Sequence, residues 1–351
     1  GLQPLHLLSG RGHHLVWRVA GDTSAFAALA ALGRVPRHLL RYYETHPGPG
    51  GTRVDPAPAR AFAGLSLVLE YLAHLTLDRV GTQTALPVSL TAVASLPGER
   101  GRESIAFDIS EYGDSLNTRV IRLPYSVYLK PWRRSGIMHR GIADRVPLIF
   151  TVPLIENDID ATVDMMTRPE RCVEEAKRSH TAIPEQHEPT RRLIEAYEGS
   201  RVREFHDSFY GTEQDKPSQW RTTYDRTDLE SLPPCVADIL RRPNDRLLRP
   251  EGLQLIARTF LALGWHPRHI AGLVRSKFER DFKWGRRWYV YDASTRAEFY
   301  IRMFSGLVLR GRDTLKDFTP EAARAGRLCL TADCRGCTID KLRERLRKEL
   351  V

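Results

Sequence analysis

The stretch Leu7-Leu8-Ser9-Gly10-Arg11-Gly12-His13-His14-Leu15-Val16-Trp17 sets an apolar pair before a small, glycine-rich corner and follows the corner with histidine and a second apolar run. Glycine at 10 and 12 lets the backbone turn sharply and come close to a ligand. The runs on either side read as strands, which would hold the His14 imidazole at a fixed place on a sheet. Such corners suit phosphate groups, because amide N–H groups and an imidazole converge on anionic oxygens. A plain turn with a satisfied histidine fits the same letters.

A second stretch narrows the reading. Ile105-Ala106-Phe107-Asp108-Ile109-Ser110-Glu111-Tyr112-Gly113-Asp114 places an acid directly after an apolar strand residue. Ser115-Leu116-Asn117-Thr118-Arg119-Val120-Ile121-Arg122-Leu123-Pro124-Tyr125-Ser126-Val127-Tyr128-Leu129-Lys130 then reads as a second strand carrying three cations. Residues 104–109 and 119–123 are the expected strands, with Glu111, Asp114 and Asn117 in the loop between them. Turn and cap chemistry is the structural alternative for Asp108 and Asp114.

Together the two stretches resemble the archaeo-eukaryotic primase superfamily, which includes replicative primase small subunits and primase-polymerases. The resemblance covers about the first 135 residues. In that family a Ser-Gly-x-Gly-x-His segment supplies a nucleotide-contacting histidine, and a later apolar-Asp segment supplies a metal-binding carboxylate. An Arg-x-x-Arg-Leu-Pro-x-Ser-x-x-x-Lys segment supplies basic groups for phosphates. The resemblance thus implies Ser9, Arg11 and His14 at the nucleotide, and Asp108 on Mg²⁺ or Mn²⁺ with Asp114 as the other candidate. It implies Arg119, Arg122 and Lys130 at triphosphate or template. The family's first motif, Asp-x-Asp or Asp-x-Glu, belongs upstream of the corner, where only six or so residues stand. The chain opens on Gly1, so a trimmed piece is the expectation, with the activity belonging to the longer parent. Asp158-Ile159-Asp160 has the right spelling but follows the other motifs, and is expected to begin a helix.

The 351 residues carry 53 Lys and Arg against 43 Asp and Glu, a net charge of +10. That balance favours polyanionic partners, nucleic acid above all, and sets no fold. A coding bias toward arginine is the bland account of it. No run of 18 or more apolar residues predicts a membrane span, and no signal peptide is visible. Five cysteines in so long a chain do not make a disulfide scaffold.

Along the chain, Ser24 to Leu40 and Ala57 to Leu77 read as helices, the second with an apolar face too broad for anything but a core. Lys130-Pro131-Trp132-Arg133-Arg134 is a basic and aromatic cluster suited to phosphates and stacked bases, or a solvated loop. Val146 to Ile155 reads as a buried strand, Asp158 to about Ser179 as a helix holding Cys172 as a structural thiol. Residues 211–230 have few apolar side chains and read as a linker or loosely packed excursion. Helices follow at Glu251–Leu263, ended by Gly264, and from Pro267. Between Arg268 and Arg312 stand eleven Lys or Arg and four acids, interleaved with Trp284, Trp288, Tyr289, Tyr291 and Tyr300. This pattern suits single-stranded nucleic acid or a template–primer junction; a helical core with a basic solvated face is the other reading.

Cys329, Cys334 and Cys337 fall within nine residues. Thiolates this close serve a metal well, since the loop closes at little entropic cost. Cys235 is the expected fourth ligand. One distant cysteine with a late group resembles the C-terminal helical domain of the primase large subunit, as do Pro233-Pro234-Cys235, Leu263-Gly264 and Lys277-Phe278-Glu279-Arg280-Asp281-Phe282. That resemblance implies a [4Fe-4S] cluster, with structural Zn²⁺ on the same four thiolates as the alternative.

The whole is expected to be α+β. A primase-type catalytic domain with a mixed or antiparallel sheet flanked by helices would span 1–155. A helical linker region would span 156–225, and a mainly α-helical metal-binding domain 226–351. The resemblance implies template-directed nucleotidyl transfer that makes primers in DNA replication of a mobile element, virus or prokaryote. Its partners would be single-stranded DNA template, primer–template duplex, NTP or dNTP and a replicative helicase, in the cytoplasm at the nucleoid and without a membrane. A non-catalytic nucleic-acid-binding replication subunit with a structural metal is the second reading. A nuclease or ligase-like phosphoryl-transfer enzyme is a third, with no nucleophile-like lysine to speak for it.

Overall fold

The computed structural model describes residues 1–10, 12–35, 37, 40, 55–80, 82–86, 88–90, 105–109, 122–129, 148–179, 181–241, 249–278, 293–329 and 337–349. These form a mixed α+β chain, mainly helical, with a small antiparallel sheet. Two compact units emerge. The first comprises Gly1–Ala28 with Arg119–Leu193, the second Leu29–Thr118 with Ile194–Val351. The units interleave along the chain, a property that consecutive ranges such as 1–155 and 226–351 do not express.

The first unit is built on the opening hairpin. β1 (Leu5–Ser9) pairs antiparallel with β2 (Gly12–Val16), Leu7 opposite His14 and Ser9 opposite Gly12. The register brings Ser9 directly opposite Gly12, so the connection between the strands is tight. Leu7 and Leu8 are both buried, so β1 is covered on both faces. Its other edge pairs with Val152–Pro153, where Leu8 stands opposite Val152. Among the described residues of the run expected over 146–155, this short strand forms together with bridges at Phe150 and Ile155. Beneath it, Leu8, Val152, Met165, Met166 and Cys172 make the core of the unit.

The helix expected over 158–179 is two helices, Ile159–Met166 and Pro169–Arg178. Pro169 has no N–H to give and forces its predecessor out of helical geometry; Arg168 sits at φ −116°, ψ 98°. Asp158 begins the first of them as its N-cap, its carboxylate accepting from the Ala161 N–H at 2.9 Å. The Asp158-Ile159-Asp160 triplet is therefore helix-start chemistry.

The second unit is a helical assembly around a long core helix, Pro56–Val80. A helix over Ser24–Leu32 leads into the unit and stops ahead of Gly33, short of Leu40. Its cap is Thr23, with Oγ1 accepting from the Phe26 N–H. Arg201–Gly211, Pro234–Arg241, Pro250–Ala262, Pro267–Phe278, Ala293–Leu309 and Ile339–Glu349 complete the larger helices. Three of these six open on proline, whose missing N–H costs nothing in a first turn. Two short strands, Val88–Leu90 and Ile105–Phe107, pair parallel, and Leu90, Phe107 and Ile109 join the helical core.

Residues 211–230 carry few apolar side chains, yet the two largest are inside. Trp220 and Tyr224 are 5% and 2% exposed. The Trp220 indole N–H donates to the Asp215 carbonyl, and the Tyr224 hydroxyl meets Nδ1 of His269 at 3.2 Å. Two anchoring aromatics hold a polar segment that composition alone reads as loose.

One described helix, Pro56–Val80, is long and apolar enough to cross a membrane by length and composition. Its Glu70 is fully buried against Arg302 and His206, which makes it a core helix of this unit.

Candidate functional site

In the first unit the glycine-rich corner does not stand alone. A side chain at Gly10 would put its Cβ 2.7 Å from Cδ1 of Tyr128 and 3.3 Å from Ile149 Cγ2. Glycine at this position therefore admits an aromatic ring against the backbone of the turn. Over that ring, at 4.1 Å from its centroid, lies the guanidinium of Arg122. Two motifs far apart in sequence thus converge through one tyrosine.

A tight turn makes this possible. Ser126 N–H donates to the Leu123 carbonyl, Pro124 takes the second position, and Tyr125 has φ 61°. These are the features of a type II turn. The turn falls at the end of the strand expected over 119–123, of which 119–121 lie outside the described residues, and Arg122 folds back over Tyr128. Beyond the turn the chain runs antiparallel beside 149–151: Tyr125 N–H donates to Thr151 O, Thr151 N–H to Ser126 O, and Tyr128 N–H to Ile149 O at 2.7 Å. The neighbouring Val152–Pro153 pairs with β1. One framework therefore fixes both the corner and the Arg122 segment.

Around the corner, Ser9 is nearly buried and its Oγ donates to the Gly12 carbonyl at 3.1 Å, locking the turn. His14 is half-buried and shares a hairpin face with Leu7 and Ser9. His13 falls on the other face, where its Nδ1 lies 2.7 Å from Nε2 of His6. Burial, and then His13, lower the pKa of His6. Strand alternation thus separates the two adjacent histidines, with His14 on the face of the Ser9 corner. Tyr128 is the residue that sequence reading passed over. Its only signal was the Leu-Pro-Tyr-Ser turn, which folds the Arg122 segment back on itself.

Asp108 lies in the second unit. It is exposed, just past the strand Ile105–Phe107, between the core residues Phe107 and Ile109. A divalent ion needs more oxygen ligands than one carboxylate gives. Among the described residues no group of three or more His, Cys, Asp or Glu side chains could hold a metal ion. The described residues therefore do not fit a complete Mg²⁺ or Mn²⁺ site. Arg11, Asp114, Arg119, Lys130 and Cys334 lie outside the described residues.

The cysteines behave differently. Cys235, in the first turn of Pro234–Arg241, and Cys329 are buried, and Cys337 stands just before the last helix. Burial pushes the Cys235 thiol up to about 12, and the thiols of Cys329 and Cys337 push it the same way. Burial also raises Cys337, with Cys329 adding to it. Cys235 thus stands near Cys329 and Cys337, which come from one later segment. Among the described residues these thiols do not make up a group that could hold a metal ion, and Cys334, which the expected four-thiolate set requires, lies outside them. Cys172 belongs to the other unit, where its Sγ donates to the Met165 carbonyl.

Part of the basic and aromatic region is internal. Arg302 and Tyr300 are 3% exposed, Arg268 pairs with Glu298 at 2.6 Å, and Arg312 pairs with Asp78. Arg296 lies over the Tyr300 ring. Trp284, Trp288, Tyr289 and Tyr291 lie outside the described residues. Comparison of the chain with protein-family models, curated proteins and solved structures returned no match.

Proposed function

We propose that this chain is a DNA primase or primase-polymerase of the archaeo-eukaryotic type, catalysing template-directed nucleotidyl transfer in primer synthesis. The observation that carries the reading is the meeting of the Gly10 corner and Arg122 on the ring of Tyr128. A nucleotide site needs a glycine-rich backbone for close approach and a planar cation for phosphate oxygens. Here both are held on one antiparallel framework, together with a half-buried histidine. His14 would contact the incoming nucleotide, and Arg122, with Arg119 and Lys130, would balance the triphosphate charge. By the sequence resemblance Asp108 would be a ligand of Mg²⁺ or Mn²⁺. Cys235, Cys329, Cys334 and Cys337 would hold a [4Fe-4S] cluster or Zn²⁺ in a domain that grips template and primer. Single-stranded DNA would be the template, an NTP or dNTP the nucleotidyl donor and a 3′-hydroxyl the acceptor, with pyrophosphate leaving.

The test is primer synthesis by the full-length gene product on single-stranded DNA, with labelled NTPs or dNTPs and Mn²⁺. Primers should form, and His14→Ala and Asp108→Ala should each abolish them while circular dichroism and melting temperature stay those of the parent. The alternative, a non-catalytic nucleic-acid-binding subunit, is favoured by the lone described carboxylate at Asp108. It is the outcome if single-stranded DNA is bound and no primer appears.

A further inference from the structure

Tyr128 touches both halves of the candidate nucleotide site and belongs to neither motif. It is 2% exposed, its backbone N–H is bound to Ile149, and its ring packs where Gly10 lacks a side chain. The ring therefore packs against the turn, and its backbone is held by the strand hydrogen bond. The Arg122 guanidinium carbon sits 4.1 Å from the ring centroid. We infer that Tyr128 is a positioning residue of the nucleotide site: its ring fixes Arg122 beside the Ser9–His14 corner, so that the guanidinium meets the phosphates of a nucleoside triphosphate in one orientation.

The chemistry favours this use. A guanidinium resting on an aromatic face spends that face on the ring quadrupole and keeps its N–H donors in its own plane. Donors held in that plane suit the fork-like recognition of phosphate that arginine performs and lysine does not. An unsupported arginine would have to lose its rotamer freedom when the ligand arrives; one already stacked has lost much of it beforehand. Gly10 belongs to the same device, because any larger residue displaces the ring that carries Arg122. The hydroxyl of Tyr128 is buried with no hydrogen-bond partner among the described residues, which assigns the positioning role to the ring. This inference rests on the nucleotidyl-transfer reading.

The experiment measures binding of a fluorescent methylanthraniloyl-ATP with Mn²⁺, with inorganic triphosphate as competitor, to the full-length protein. Tyr128→Phe keeps the ring and should bind within about twofold of wild type, whereas Tyr128→Leu should bind roughly fivefold more weakly, the order expected of a half-buried cation–π contact. In an Arg122→Ala background Tyr128→Leu should have no further effect. In primer synthesis the Leu variant should raise KM and leave kcat unchanged. Since Leu could loosen the turn, phenylalanines with one, two and three ring fluorines at 128 give the decisive series. They preserve shape and weaken the quadrupole, so affinity should fall stepwise. A flat series, or a Leu effect that persists without Arg122, overturns the inference and leaves the nucleotide site standing. Absence of nucleotide binding by the wild-type protein overturns the functional reading, and the inference with it.

Discussion

At the scale of single residues, the strongest electrostatics belong to a side-chain network inside the helical unit. Arg302 Nε and Nη2 both donate to Glu70 Oε2, at 3.0 and 2.9 Å. His206 Nε2 lies 3.1 Å from Glu70 Oε1, and its Nδ1 lies 2.9 Å from the Tyr197 hydroxyl. Burial alone would raise the Glu70 carboxyl, but Arg302 and then His206 outweigh it and hold it at about 2. Burial lowers His206 in spite of Glu70, so its ring is neutral at neutral pH. The Nε2–H then donates to Glu70, Nδ1 accepts from Tyr197, and Arg302 supplies the balancing charge. His74, one turn from Glu70 on the same helix, is 2% exposed and neither ring nitrogen has a hydrogen-bond partner. Burial pushes it down from 6.5 to about 4, against the pull of Glu70 and Asp78 and with the push of Arg310 and His206. Between those values the unfolded chain binds a proton that the folded one refuses, so stability falls as pH drops from 6.5 toward 4. Glu70 acts lower: its depressed pKa contributes stability that is lost as pH falls below 4.5 toward 2. His74→Leu should remove on the order of 3 kcal/mol of the higher-pH loss. Urea unfolding measured from neutral pH down to about 2 reads this as a flatter upper limb, with the lower Glu70 limb unchanged. Stability at neutral pH should hold or rise, because two buried, unpartnered nitrogens are gone.

At the scale of elements, two glycines let helices meet backbone to backbone. A Cβ on Gly64 would lie 1.9 Å from the Leu29 carbonyl oxygen, and one on Gly33 would lie 1.8 Å from that of Arg60. Neither obstacle is a side-chain tip that could swing away. Gly64→Ala gains roughly 1 kcal/mol of helix propensity, but the forced separation of the Ser24–Leu32 and Pro56–Val80 helices should cost more, for a net loss of about 1–3 kcal/mol. Gly211→Ala, at the end of Arg201–Gly211 with nothing within 4 Å, is the control and should be neutral or slightly stabilising. Thermal melts of the two variants beside the parent decide it. Elements of this kind were legible in sequence where period and punctuation agreed. Pro56–Val80, Pro250–Ala262 and Pro267–Phe278 match their apolar faces and their Pro and Gly boundaries to within a few residues. Legibility failed where one residue governs a fold-back. Pro169 splits a helix whose apolar pattern runs on, and Pro124 with Tyr125 turns a chain whose letters alternate like a strand. The Gly64 crossing has no sequence signal at all, since an interior helical glycine reads only as a weak spot.

At the scale of the whole molecule, charge and metal chemistry divide along the same line. Net charge of +10 is plain from composition, but composition cannot say which cations face outward. Arg302, Arg258 and Arg268 are committed to internal acids, Arg258 to Asp313 at 2.7 Å through both Nε and Nη2. Basic residues in the Arg268–Arg312 interval therefore overstate the surface a polyanion would meet. The cysteines run the other way: spacing grouped Cys329, Cys334 and Cys337, and the fold brings Cys235 to Cys329 and Cys337 within one helical core. Burial, with the neighbouring thiols of Cys329 and Cys337, raises the Cys235 thiol, and a bound cation would reverse that sign. Purified protein should therefore carry tightly held zinc, or iron with acid-labile sulfide, at about one site per chain. Elemental analysis and the visible absorption of a cluster separate the two. Cys235→Ala should lose the metal and lower the melting temperature of the helical unit, because binding energy of a structural metal is folding energy. Cys172→Ala is the matched control: it removes a buried thiol from the other unit and should leave metal content unchanged. Metal retained in full by Cys235→Ala would remove that cysteine from the ligand set and reduce the site to the cysteines of the 329–337 segment.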